Sequence, residues 1–363
     1  MSGQAVCAPD EWYPGTMRFP RSPYLLGLLF LACGKDGAAP GTAVTPGVDS
    51  GGGSPDGAAA VVDAGPGGSV DGGSDGAAAA DASSDAGAAD AGPPAPISFA
   101  IIGDFGNDSP REAAVAALVK SWSPDFIVTT GDNNYGAANG GVASYDTNVG
   151  KHYGDYISPY AGQFWDASAP AAKNRFWPVL GNRDWDIGPG LAYADFFTLP
   201  GNERYYDLTI GPVHFTMLDS DAREPDGIVA GGVQATWAEA TIKGSSAPFQ
   251  FVFHHHPAYV SGTAEARMRW SFKTWGADAY FTGHIHLYER LVVDGQQYFI
   301  NGQGGTSTSN FGTTAPGSAV RYNAMDGAMR VTVTSTKATF RYFTVAGTMI
   351  DEVAIDPTGA VVP

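Results

Sequence analysis

Five short apolar runs in this sequence each end in residues of the kinds that bind metal ions. Ile97 to Ile102 leads into Gly103-Asp104, and Phe126 to Thr130 leads into Gly131-Asp132, with Tyr135 three residues on. Phe176 to Leu180 leads into Gly181-Asn182-Arg183-Asp184, Phe249 to Phe253 into His254-His255-His256-Pro257, and Asp278 to Thr282 into Gly283-His284-Ile285-His286. A single Asp after an apolar run is commonly a turn or cap residue. Five runs that each place Asp104, Asp132, Asn182, His255 or His284 one to three residues past their ends are not explained that way. In open α/β sheets, ligands bind beyond the carboxyl ends of the strands. The five side chains are therefore expected at one edge, as metal ligands. The only cysteines, Cys7 and Cys33, lie outside this region, so His, Asp, Asn and Tyr must supply the donors.

The elements that must position these residues read as one α/β domain over residues 97–363, without internal repeats. After Asp104 a helix begins: Ser109 is a good N-cap, Pro110 suits the first helical position, and Glu112 completes a capping box. Ala113, Ala117 and Val115 through Trp122 are expected on its buried side. The run Phe126 to Thr130 follows, so β-α-β order predicts a parallel pair with a right-handed crossover. Val213 to Leu218, ending in Asp219, is a further strand, and Glu265 to Trp275 is expected to be helical. The segments Tyr298 to Asn301, Ala328 to Ser335, Ala338 to Val345 and Glu352 to Ile355 are expected to form successive strands of a second sheet.

Read in order and at these intervals, the five motifs resemble the calcineurin-like metallophosphoesterase superfamily, and Tyr135 narrows the likeness to purple acid phosphatases. Lys173 to Leu180, Leu199 to Tyr206, Met268 to Phe272 and His286 to Arg290 are similar to bacterial members of that group. The resemblance implies a four-layer sandwich of two mixed β-sheets flanked by helices, holding two metal ions. It places Asp104, Asp132, Tyr135 and His286 on one ion and Asp132, Asn182, His255 and His284 on the other, with Asp132 as the shared carboxylate. The first donor set, anionic and oxygen-rich, suits Fe(III), and the second suits a divalent ion such as Zn, Fe or Mn. Within the three-histidine run, Val252 and Pro257 fit the family spacing around His255. Strand alternation turns His254 and His256 the other way. Of these two, His254 is kept with Arg183 as a candidate catalytic residue. His152 and His214 are expected to be structural.

The same resemblance implies hydrolysis of a phosphate ester by in-line attack of a metal-bound hydroxide on phosphorus. One departure stands out. Arg183 occupies the place where the family usually carries His after Gly-Asn. Arginine keeps the charge and offers a forked donor, but it cannot give up a proton near neutrality. A further histidine usual after the His-x-Pro segment is missing from Ser261 to Glu265, where Glu265 or Arg267 could fill the space. The expected activity is an acid-phosphatase-like reaction on small-molecule phosphate esters. The alternatives are specificity for diesters, nucleotides or pyrophosphates, and a metal-holding surface binding module. A dinucleotide-binding fold is excluded, because Gly103-Asp104-Phe105-Gly106 lacks the Gly-x-Gly-x-x-Gly spacing.

Composition bounds the rest. Residues 34–96 are almost entirely Gly, Ala, Asp, Ser and Pro, with no aromatic residue. Such a segment cannot recover the roughly 1–2 kcal/mol per residue that ordering costs, so a disordered tether is expected. Its nine aspartates against Lys35 carry nearly half of the net charge of −17 over 363 residues. The acidic balance describes a solvated linker more than the catalytic surface, and it argues against a nucleic-acid partner, which would need a basic face. Residues 1–33 read as an export leader, with Met17 as the expected start. Arg18 and Arg21 precede the apolar run Leu25 to Ala32, too short to span a membrane. Phe30-Leu31-Ala32-Cys33 resembles a bacterial lipobox, which implies a lipid anchor at Cys33. Plain cleavage and secretion is the alternative.

Overall fold

The computed structural model describes residues 95–363, apart from 167, 169 and 263–266. The expected leader, Cys33 and nearly all of the tether lie outside the described residues. Strands that are apolar along their whole length are buried on both faces, as parallel strands between layers must be. In chain order the strands are β1 (Ile97–Ile102), β2 (Phe126–Thr129), β3 (Phe176–Trp177), β4 (Tyr206–Ile210) and β5 (Val213–Met217). Then come β6 (Phe249–Phe253), β7 (Ala279–Thr282), β8 (Tyr288–Val293), β9 (Gln296–Asn301) and β10 (Ser318–Tyr322). The last four are β11 (Gly327–Val333), β12 (Ala338–Thr344), β13 (Met349–Ile355) and β14 (Val361–Val362).

They form two mixed sheets of seven strands, ordered β14-β13-β12-β11-β1-β2-β3 and β10-β8-β9-β7-β6-β5-β4. Strands β1, β2 and β3 run parallel in the first sheet, and β5, β6, β7 and β9 in the second. The expectation that the C-terminal strands build the second sheet is corrected. Strand β11 pairs antiparallel with β1, so β11 to β14 extend the first sheet, whereas β9 belongs to the second. The metal-type residues therefore leave the ends of two sheets rather than one.

Aromatic side chains fill the space between the sheets. Phe99 of β1 meets Phe215 of β5 edge-on at 5.4 Å, and Phe340 of β12 packs on Phe299, Phe251 and Phe281 at 5.0, 5.5 and 5.6 Å. Such pairs add about 0.5–1.5 kcal/mol each beyond the area they bury. They fix the spacing from which the site loops emerge.

Helices cover the outer faces. In Pro110–Ser121, Ser109 caps the N-terminus by accepting from the Glu112 N–H at 3.2 Å. The capping box is only half formed, because Glu112 Oε2 reaches past Ser109 to the N–H groups of Asn107 and Asp108 at 2.9 and 2.7 Å. Glu112, Val115, Ala116 and Val119 make the buried face, while Ala113 and Ala117 are exposed, contrary to the pattern read from the sequence. Helix Val233–Gly244 buries Gln234, Ala235, Ala238 and Ile242. Of the helix expected over Glu265 to Trp275, residues 265 and 266 lie outside the described residues and the rest is helical only over Phe272–Trp275, since Met268 adopts a left-handed φ of 53° that no helix continues through. No helix among the described residues is long and apolar enough to cross a membrane.

Candidate metal centre

The loops that carry the site are stitched together by their backbones. The N–H of Asp104 donates to the Gly131 carbonyl at 3.1 Å, and that of Gly283 donates to the His255 carbonyl at 3.0 Å. Asp104, Asp132 and His284 have φ of 55°, 50° and 70°, the left-handed region that side chains usually avoid. Such strain costs of order 1–3 kcal/mol per residue and persists only where surrounding contacts enforce it. Glycines before the donors permit the crowding. A Cβ on Gly181 would lie 2.2 Å from Asp132 N and Oδ1, and one on Gly283 would lie 2.4 Å from Asp104 Oδ2.

These loops bring all seven expected donors together. Asp104, Asp132 and His255 are fully buried and offer ligand atoms within 4.8 Å of one another. Tyr135, Asn182, His284 and His286 are half-buried around them. The two oxygens of Asp132 face different neighbours. Oδ2 accepts from Tyr135 Oη at 3.0 Å, and that phenol also lies 3.3 Å from Asp104 Oδ1 and 3.0 Å from His286 Nε2. Oδ1 lies 3.2 Å from His255 Nε2. Asn182 Oδ1 stands 3.2 Å from that same nitrogen and 3.1 Å from His284 Nδ1, and the two ring nitrogens are 3.3 Å apart. His284 and His286 follow β7 in an irregular turn, and so they splay into the two different groups.

The ring orientations are set from behind. His255 Nδ1 donates to the Thr130 carbonyl at 2.8 Å, which leaves Nε2 facing the cluster. His286 Nδ1 contacts Ser307 Oγ at 2.5 Å, which likewise turns Nε2 inward. Electrostatics make the pocket cation-seeking. Burial alone would strip His255 of its proton, but Asp132 and Asp104 outweigh burial and raise its pKa to about 10. For Asp132 burial again opposes the charge, and His255 together with the Arg183 N–H wins, so its pKa falls. Burial, with Asp104 and Asp132 beside it, drives the Tyr135 phenol far above its usual range. The carboxylates thus draw a proton onto His255, the place a cation would take, and only a strongly charged cation would ionise Tyr135. The donor set fits metal ions.

Other side chains surround this core. The Arg183 N–H donates to Asp132 Oδ1 at 2.8 Å, while its exposed guanidinium stands 5.7 Å from the Tyr135 ring and 3.5 Å from Asp186. Asp184, fully buried, accepts from Gly181 N at 2.8 Å, Asn133 N at 3.2 Å, Asn133 Nδ2 at 3.0 Å and Tyr145 Oη at 2.7 Å. It ties the turns bearing Asp132 and Asn182 to each other.

The structure turns His254 away from the donors. Its ring stacks on Phe272 at 6.3 Å, its Nδ1 has no partner, and burial lowers its pKa to about 4. It is a packed, buried side chain, and none of these contacts supports the expected catalytic role. The neighbour on the site is His256. Its ring lies 4.4 Å from that of His284, with Ser220 Oγ on Nδ1 at 2.9 Å and Arg267 Nη1 3.5 Å from Nε2. Strand alternation fails here because β6 ends at Phe253 and the histidines that follow form a bend. His214 bonds Gln250 and Asp207 within β5 and its neighbours, and His152 bonds Asp108, both away from the donors. Ser220 and Arg223 touch the site through a loop after β5, and no motif spacing marked them. Asp219, at the end of the β5 run, was the only signal of that loop.

The calcineurin-like phosphoesterase family profile matches residues 97–288. A probable purple acid phosphatase of Arabidopsis thaliana is 28% identical over 217 residues, 54% of this chain and 47% of the relative. A second Arabidopsis purple acid phosphatase is 26% identical over 248 residues, 58% of this chain and 45% of the relative. The chain spans about half the length of these curated relatives. Among solved structures, a purple acid phosphatase from yellow lupin (Lupinus luteus) seeds shares the fold with a TM-score of 0.56 at 17% identity, over 72% of this chain and 54% of that one. The anchor in the inner membrane complex of Plasmodium does so at 0.55 and 16%, over 72% and 89%. The matched stretch begins with β1, ends just past His286 and covers more than half of the sequence: the chain belongs to the calcineurin-like phosphoesterase family.

Proposed function

We propose that the domain is a two-metal hydrolase of phosphate esters, acid-phosphatase-like in its chemistry. The observation that carries this reading is Asp132, whose two oxygens face two separate donor groups. Asp104, Tyr135 and His286 would hold one ion with Asp132, a trivalent iron by the chemistry of two carboxylates and a phenolate. Asn182, His255 and His284 would hold a divalent ion, Zn, Fe or Mn, with the same carboxylate. When bound, the pair lowers the pKa of water and takes up charge on the phosphoryl oxygens.

The chain's own residues bind and orient. Arg183 offers an exposed guanidinium at the mouth, where it can fork onto a phosphate oxygen pair. It has no proton to give, so the leaving oxygen departs unaided from that side. Substrates whose leaving groups are stable as anions are therefore favoured: aryl monoesters, aryl diesters and phosphoanhydrides. Export through the N-terminal leader, with Cys33 as a lipid anchor or with secretion, remains part of this proposal.

A binding-module reading draws on the likeness to the Plasmodium anchor protein, which has this fold. The complete donor set favours the enzyme, because buried carboxylates this close are costly unless they hold cations. The test is turnover of an aryl phosphate with iron and zinc supplied, in the native chain and in Asp132→Asn. Turnover in the first and none in the second is expected. If neither hydrolyses monoesters, diesters or nucleotides, the enzyme reading fails.

A further inference from the structure

The loop leaving β5 supplies none of the expected donors, yet it touches both sides of the Asn182–His255–His284 group. Ser220 is fully buried, and its Oγ accepts from the N–H groups of His255 and His256 at 3.2 and 2.9 Å. Arg223 grips the other side. Its Nε and Nη2 lie on the two oxygens of Asp221 at 2.7 and 3.1 Å, and Nη2 also donates to the Asn182 carbonyl at 2.9 Å. Asp221 is itself buried, and its N–H donates to Asp219 Oδ1 at 2.8 Å. Asp219 Oδ2 accepts from Trp185 Nε1 at 2.8 Å, in the same short helix as Asn182. Asn182 follows the first sheet and His255 the second. One loop therefore clasps the two sheets where their neutral donors meet.

We propose that Ser220 and Arg223 are positioning residues that hold Asn182 and His255 against each other and so set how tightly this donor group keeps its cation. The inference rests on the two-metal reading above. A neutral amide is a weak ligand, and Asn182 is half-exposed at the first residue of a five-residue helix. Its orientation depends on what holds its backbone. Partners that orient a ligand from behind are typically worth 10–100-fold in metal affinity. Among the described residues, no hydrogen bond runs from the Asp219 to Glu224 loop to Asp104, Tyr135 or His286, so the effect is confined to one half of the site. The outward arm of Arg223, from Nη1 to the exposed Asp186 at 2.9 Å, makes no contact with a donor and serves as an internal control.

The experiment uses the full chain loaded with iron and zinc and moved into excess chromogenic zinc chelator. Zinc release is followed alongside the visible iron–tyrosinate absorption, which reports the Tyr135 half. Arg223→Met and Ser220→Ala should release zinc about 10–100-fold faster than the native chain while the visible absorption holds. Arg223→Lys keeps the charge but cannot reach Asp221 and Asn182 together, so it should follow Arg223→Met. Asp186→Asn should release zinc at the native rate. Native-rate release from Arg223→Met and Ser220→Ala, or loss of both ions together, would overturn the inference while leaving the two-metal reading intact. A native chain that takes up no zinc beside its iron would sink the two-metal reading and this inference with it.

Discussion

Glu112 offers a test of how the loop behind Asp104 is held. The side chain is fully buried, Oε2 caps the N–H groups of Asn107 and Asp108, and Oε1 has no partner. Burial is the main cause that raises its pKa from 4.5 to about 8, against the lowering effect of those N–H groups. An unfolded Glu112 would ionise from about pH 4.5 upward, while the folded chain keeps its proton until about pH 8. Between those limits the native state binds more protons than the unfolded one, so its stability falls as pH rises. At about 1.4 kcal/mol per pK unit, the loss across the window is on the order of 3–5 kcal/mol. Glu112→Gln keeps the neutral shape and the acceptor but does not titrate. Urea unfolding of both proteins, at equal metal load, should give free energies within about 1 kcal/mol of each other at pH 5. At pH 8 the variant should be the more stable by roughly 3–5 kcal/mol. An equal difference at both pH values, or a variant less stable at pH 8, would refute the argument.

Two further outcomes follow from the site. Arg183→His should raise turnover of alkyl monoesters at acidic pH relative to aryl esters, because it restores a proton donor at the mouth; unchanged pH–rate profiles would remove Arg183 from leaving-group departure. Asp184→Ala strands the Gly181 and Asn133 N–H groups and the Tyr145 hydroxyl, and buried unsatisfied groups cost about 1–3 kcal/mol each. Thermal unfolding should fall by several degrees with weakened metal retention, and a shift of less than a degree would contradict the role assigned to Asp184.

Most of the side chains gathered at the site were legible in the sequence as local signals: Asp104, Asp132, Asn182 and His284 each follow an apolar run and a glycine that allows close approach. The fold class followed from the same runs. Sheet membership was not legible, since alternation marks β11 to β13 as strands but says nothing of their partner, and β1 claims β11 across the 224 residues from 103 to 326. The helix expected from Glu265 failed at Met268, whose left-handed backbone no propensity reveals. Strand alternation turned both His254 and His256 away from His255, and it could not tell them apart, because β6 ends at Phe253 and the chain bends there. Ser220 and Arg223 act through hydrogen bonds 35 and 41 residues distant in sequence, and no local pattern announces such contacts.

The central claim is that Asp132 joins two cations of different kinds. Elemental analysis of the purified chain, with its visible spectrum, tests it most directly. Two metal ions per chain, one of them iron with a charge-transfer band that Tyr135→Phe abolishes, is the predicted result. A single ion, or an iron band indifferent to Tyr135, would contradict it.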